Sequence, residues 1–193
     1  MYISEDVKVK RKPGIIGKTF NKNTQTKNWY VLYTAPRAEK VAKRELELKG
    51  CETFLPTTKV LRVWKNRQKK MIEQVLFPSY IFVYTYENSL AELCWVNKVT
   101  TYIKCGGKPS KIDIKCIEGI KRMLDMGKEI SVDPNFTEGE SVRIIKGPLA
   151  GYEGILLHQK SKTKFGIHLK EINQTVSVEI STNSVEKIHS EAV

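Results

Sequence analysis

Glu138-Gly-Glu-Ser-Val-Arg-Ile-Ile-Lys-Gly-Pro-Leu-Ala-Gly-Tyr-Glu-Gly154 reads as a strand, a tight turn and a second strand. Val142 and Ile144 alternate with polar neighbours, the period of a half-buried strand. Gly147 and Gly151 permit positive φ, Pro148 pre-sets the turn, and Gly154 lets the next strand pack closely. Ile155 and Leu157 then continue the expected inner face. With Phe165–Leu169, Thr175–Ile180 and Val185–Ile188 downstream, five short strands fall within about fifty residues, which implies a small β-barrel.

Upstream of this segment the pattern changes. Trp29-Tyr-Val-Leu-Tyr33 is a strand by its aromatic and β-branched content. Pro36 suits the first turn of a helix, whose apolar face is Ala38, Val41, Ala42 and Leu46 and which Gly50 stops. Lys59–Trp64 and Met71–Val75 pair as a hairpin, Tyr80–Tyr84 is a central strand and Thr100–Ile103 a shorter one. Asp113 caps a second helix carrying Cys116, Ile117, Ile120, Met123 and Leu124 on one side, with Gly127 at its end. The order β-α-β-β-β-α predicts an α+β sandwich with helices on one face of an antiparallel sheet. Periodicity lapses around Ser131–Phe136. The expected division is therefore a flexible basic arm over 1–28, the sandwich over 29–128, a linker over 129–137 and the barrel over 138–190.

Charge separates the same parts. The 193 residues carry 33 Lys and Arg against 21 Asp and Glu, a net charge of +12. The first 28 residues hold +5 of it, 29–137 hold +7, and 138–193 are neutral. So uneven a balance points the N-terminal parts toward polyanions. No apolar run approaches the ~18–20 residues that span a bilayer, and the N-terminus lacks the apolar core of a secretory signal. Cys51, Cys94, Cys105 and Cys116 lack metal-ligand spacing and suit reduced thiols in a cytoplasm. No metal or cofactor is expected. His158, His168 and His189 have no nucleophile or acid in pattern, and there is no P-loop, so an enzyme is not expected either.

The Glu138–Gly154 string closely resembles a KOW motif, which by itself fits translation and transcription proteins alike. The upstream blocks distinguish them. Trp29-Tyr30 with Tyr33, Pro36-Arg37-Ala38-Glu39-Lys40, Phe54-Leu55-Pro56, Phe77-Pro78-Ser79-Tyr80-Ile81-Phe82-Val83 and Gly107-Lys108-Pro109 resemble, in order and spacing, the N-terminal (NGN) domain of NusG-type transcription factors. The resemblance runs from Trp29 to Ile188 and implies an NGN domain followed by an SH3-like KOW barrel. Leu76–Val83 and the lysine-rich hairpin are similar to the specialised RfaH- and UpxY-type antiterminators, which act on long operons, often for surface polysaccharides. The competing reading is a ribosome- or translation-associated KOW protein that binds RNA.

The resemblance implies docking on the clamp helices of the largest subunit of RNA polymerase through Tyr33, Phe77, Pro78, Tyr80 and Phe82. Tyr80 and Phe82 share one face of their strand and Ile81 and Val83 the other. Ile81 and Val83 are expected in the core, leaving the aromatic pair outward as interface anchors. The motif by which specialised relatives touch the far side of the polymerase cleft has no match near Ser89–Glu92. Six basic residues lie between Lys59 and Lys70 with no acid among them. Lys65, Arg67, Lys69 and Lys70, beside Trp64, are candidates for contact with non-template DNA or nascent RNA. Arg37, Lys40 and Arg44 form a second candidate surface, and the arm adds salt-sensitive affinity. The KOW turn of Lys146, Gly147, Pro148 and Gly151 belongs to a neutral barrel. By resemblance that barrel recruits Rho or a ribosomal protein, and its glycines and β-branched residues oppose refolding to helix. A cytoplasmic monomer without a membrane partner is expected.

Overall fold

The computed structural model describes residues 26–133, 139–159 and 162–188. The expected arm lies almost wholly outside these residues. In chain order the elements of the N-terminal part are β1 (Asn28–Thr34), α1 (Glu39–Leu48), β2 (Glu52–Phe54), β3 (Thr57–Val63), β4 (Lys69–Val75), β5 (Tyr80–Thr85), α2 (Leu90–Leu93), β6 (Val99–Tyr102), β7 (Lys104–Cys105), β8 (Lys108–Pro109), β9 (Lys111–Ile112) and α3 (Ile114–Asp125). Then follow β10 (Ile130–Asp133), β11 (Glu140–Ile144), β12 (Glu153–Gln159), β13 (Lys162–Leu169), β14 (Gln174–Glu179) and β15 (Val185–Lys187).

The first sheet runs β2-β5-β1-β6, with β9 also paired to β1, and every pairing in it is antiparallel. Its two central strands are apolar on both faces, so both faces need cover. Tyr30, Leu32, Ile81 and Val83 pack with Ala42 and Leu46 of α1 and Leu90 and Leu93 of α2. Trp29, Val31 and Phe82 pack instead in the core that holds Ile117, Ile120 and Met123 of α3. Helices thus cover both faces, not the single face expected from element order. Helix α1 also starts later than Pro36, because Pro36 and Arg37 form a turn in which Arg37 takes a φ of +59°. Asp113 caps α3 as expected, its carboxylate accepting from the Lys115 N–H at 2.9 Å.

The second sheet runs β10-β14-β13-β12-β11-β15. The five expected strands are present, together with a sixth that the sequence pattern concealed. The anticipated linker 129–137 contains β10, whose Ile130–Asp133 pair with Val178–Thr175. Only Lys128 and Glu129 separate it from Gly127. The KOW turn is built as read: Gly147 and Gly151 have φ of +90° and +86°, and the Gly151 N–H donates to the Ile144 carbonyl at 2.7 Å. The inner face differs by one residue from the expectation. Val142 lies opposite Gly154, so Leu156 joins Val142, Ile144 and Phe165 in the core, while Ile155 and Leu157 take the other side, where Leu157 is buried as expected and Ile155 only half-buried. A one-residue change of register exchanges the faces of a strand. Gly154 is required there: a Cβ would stand 2.4 Å from the Gly166 carbonyl oxygen and 2.6 Å from the Phe165 ring.

Candidate functional site

The turn after β4 is held from two sides. Ser79 has a φ of +67°, its N–H donates to the Glu39 carboxylate at 2.7 Å, and its carbonyl accepts from the Thr34 N–H at 2.8 Å. Glu39 is buried at the first turn of α1, where a negative charge is favoured by the helix dipole. Pro78 is therefore displayed at an exposed corner. Beside it the half-buried Tyr33 and Tyr80, directly paired across β1 and β5, meet edge to face at 5.5 Å between ring centres.

Three of the five expected docking residues thus keep surface: Tyr33, Pro78 and Tyr80. Phe77 and Phe82 do not. They are 1% and 0% exposed, with ring centres 5.6 Å apart, and the Phe54 ring stands 6.0 Å from that of Phe82. The expectation that the whole Tyr80/Phe82 face was open is corrected, because α3 and its neighbours cover it beyond Tyr80.

Strands β3 and β4 form a two-stranded ribbon whose ladder joins no other strand. Its tip closes through the Trp64 N–H to the Gln68 carbonyl and the Arg67 N–H to the Trp64 carbonyl, both 2.9 Å, with Arg67 at a φ of +62°. Every residue from Leu61 to Met71 is exposed. The structure therefore brings Lys65, Arg67, Lys69 and Lys70 together at one projecting end, with Trp64 54% exposed among them. Sequence reasoning missed that Leu61, Val63 and Met71 are also exposed and share one ribbon face. The signal is the alternation Leu61-Arg62-Val63, which puts two apolar side chains on one face of the hairpin.

The second basic surface is not as anticipated. Arg37 lies in the turn before α1 and is exposed. Lys40 pairs with Glu73 on β4, and Arg44 with Glu45 at 3.1 Å. The other Glu73 oxygen accepts from the Thr57 hydroxyl at 2.8 Å. These hydrogen bonds, with the ammonium charge of Lys40, hold the Glu73 carboxyl below its ordinary pKa.

In the barrel, Arg143 pairs with Glu153, Lys162 with Glu179 and Lys187 with Glu140, so these three cations are matched by neighbouring acids. Lys146 and Pro148 of the KOW turn are exposed, while Leu149 between Pro148 and Gly151 is buried. The turn meets α3. Arg122 donates to the Pro148 carbonyl at 3.2 Å and lies over the Tyr152 ring, and Gly119 leaves room for Ile167, whose Cδ1 would stand 2.4 Å from a Cβ there. His158 and His168 sit on barrel strands as expected, each beside a threonine hydroxyl. Among the described residues no group of three or more His, Cys, Asp or Glu could hold a metal ion, and no helix is long and apolar enough to cross a membrane.

The family model "Transcription termination factor nusG" matches residues 27–121. The "Transcription termination/antitermination protein NusG" of Halalkalibacterium halodurans is 29% identical over 180 residues, covering 84% of this chain and 99% of that protein. Its namesake from Streptococcus pyogenes serotype M3 is 30% identical over 171 residues, covering 80% and 93%. A solved structure of Thermotoga maritima NusG is similar at 22% identity and a TM-score of 0.46, covering 85% of this chain and 98% of that one. The relatives that match are transcription factors and not enzymes. A sandwich with a KOW barrel behind it, and 30% identity across four-fifths of the sequence, carry one conclusion: the chain belongs to the NusG family.

Proposed function

We propose that this protein regulates transcript elongation, as an antiterminator of particular operons, by docking on the clamp helices of RNA polymerase through Tyr33, Pro78 and Tyr80. The observation that carries this is the turn locked between Glu39 and Thr34, which displays a proline corner and an aromatic pair on a rigid sheet end. Aromatic groups held in place this way bury large area at little entropy cost. The cationic ribbon tip supplies a separate contact with non-template DNA or nascent RNA, with Trp64 available to stack on an unpaired base. Differential affinity for the elongating state over the paused one then shifts the polymerase population without chemistry. The neutral KOW barrel serves protein partners such as Rho or a ribosomal protein.

Pull-down with purified RNA polymerase tests the docking. Tyr33→Ala/Tyr80→Ala is expected to weaken binding by about 30-fold or more, the loss typical of anchor residues. A folded wild-type protein that ignores polymerase and co-sediments with ribosomal subunits would sink the reading. For the ribbon, Lys65→Glu/Lys69→Glu is expected to weaken association with an elongation complex and to lower its salt dependence. An unchanged salt slope would place the tip in solvent.

A further inference from the structure

Adjacent residues at the start of α1 reach in two directions. Glu39 holds the Ser79 N–H, and so the Phe77–Tyr80 turn. Lys40 holds Glu73, opposite Lys59 on the third rung from the root, and so the inner half of the ribbon. The ribbon needs such a tie. Its ladder joins no other strand, the bond closing its root, Leu76 N–H to the Pro56 carbonyl at 2.9 Å, runs between the ribbon's own two ends, and a two-stranded ribbon alone is marginal in water. Glu73 has both oxygens engaged, one by Lys40 and one by the Thr57 hydroxyl directly across from Val75. It is also the only acid on either ribbon strand, so no second carboxylate there could take over the tie.

We propose that Lys40 is a positioning residue that, with Glu39, makes the first turn of α1 the joint fixing the basic ribbon relative to the Phe77–Tyr80 turn. This rests on the reading of the ribbon as a nucleic-acid contact, and it removes Lys40 from the phosphate-binding set. The ammonium group is committed to Glu73. The four cations at the tip, Lys65, Arg67, Lys69 and Lys70, have no ion pair with an acid among the described residues. The division of labour is therefore spatial: the tip meets the polyanion, and α1 sets where the tip stands when the turn is seated on its protein partner.

The two roles for Lys40 predict opposite signs for one substitution. Were Lys40 a phosphate contact, Glu73→Ala would free it and delete a negative charge, and binding would tighten. As a positioning pair, Glu73→Ala lets the ribbon swing and weakens binding. The experiment measures affinity and salt slope on an elongation complex reconstituted from purified RNA polymerase and a synthetic DNA–RNA scaffold. The proteins are wild type, Glu73→Ala, Lys40→Ala, Lys40→Glu, the exchange Lys40→Glu/Glu73→Lys, and Lys65→Glu/Lys69→Glu.

The expected result is a loss of up to about fivefold for Glu73→Ala and Lys40→Ala with the wild-type salt slope, which is the worth of an exposed ion pair expressed as affinity. The exchange variant should recover most of what Lys40→Glu loses. Tighter binding by Glu73→Ala overturns the proposal. So does an exchange variant as weak as Lys40→Glu, or a slope for Lys40→Ala lower by about one phosphate contact. Failure of the underlying reading is visible separately: Lys65→Glu/Lys69→Glu would then match wild type in affinity and slope, and the proposal would fall with it.

Discussion

Replacing Phe82 by alanine separates a core aromatic from a docking aromatic. The side chain is 0% exposed on the central strand β5, with the Phe77 and Phe54 rings against it and α3 residues in the same core. Buried Phe→Ala changes cost about 3–5 kcal/mol, more where the surroundings cannot collapse into the space. Here β5 is pinned by hydrogen bonds to β1 and β2 on both sides, and Phe77 is tied to the turn that Glu39 and Thr34 lock. Collapse is restricted, so the upper half of that range is expected, against a total stability of about 5–15 kcal/mol for a typical domain. For a chain near this length the midpoint should fall by roughly 8–20 °C, at about 2–4 °C per kcal/mol. Urea titration and calorimetry would measure the loss, with polymerase affinity determined well below the lowered midpoint. Folded Phe82→Ala should bind polymerase within about threefold of wild type, whereas Tyr33→Ala/Tyr80→Ala should lose far more affinity at smaller cost in stability. A Phe82→Ala protein of near-native stability that no longer binds polymerase would refute the assignment of Phe82 to the core.

Two further outcomes follow from single contacts. Gly154→Ala should unfold the barrel or force β12 off β13, because the added Cβ would meet the backbone carbonyl of Gly166 and the Phe165 ring; loss of dispersed barrel resonances in an NMR spectrum, with those of the first sheet retained, would register it. The Cys116 thiol is pushed up to about 11, chiefly by burial and then by the nearby carboxylates of Asp113 and Glu171. At pH 8 only about one molecule in a thousand carries its thiolate. Mass spectrometry after brief iodoacetamide treatment should accordingly find the exposed Cys105 alkylated well before Cys116, and early labelling of Cys116 would contradict its burial.

Much of the architecture was legible in the residues. The KOW turn, the Asp113 cap, the two long helices and the parity of Tyr80–Val83 all rest on local chemistry, and each is present. The candidate site was legible only in part. The Tyr80/Phe82 face was correctly separated from Ile81/Val83, but its cover was not foreseen, because the apolar stripe of α3 does not state which sheet face receives it. Lys40 was grouped with the other cations of its helix because its acid lies 33 residues away. Ile130–Asp133 looked like a linker because four residues ahead of Pro134 carry too little pattern to declare a strand, and its partner is more than forty residues downstream.

By itself, then, the sequence determined the longer helices and most of the longer strands, the KOW turn, the Asp113 cap, the family and the concentration of charge ahead of the barrel. These depend on side-chain period and on backbone freedom at particular residues, both of which act within a few positions of the chain. Only the tertiary structure decided which aromatics remain at the surface, which cations already have a partner, and that the barrel takes a sixth strand only two residues after Gly127. Exposure and charge pairing are properties of what a residue faces across space. They are set by packing summed over distant segments, which no local pattern contains.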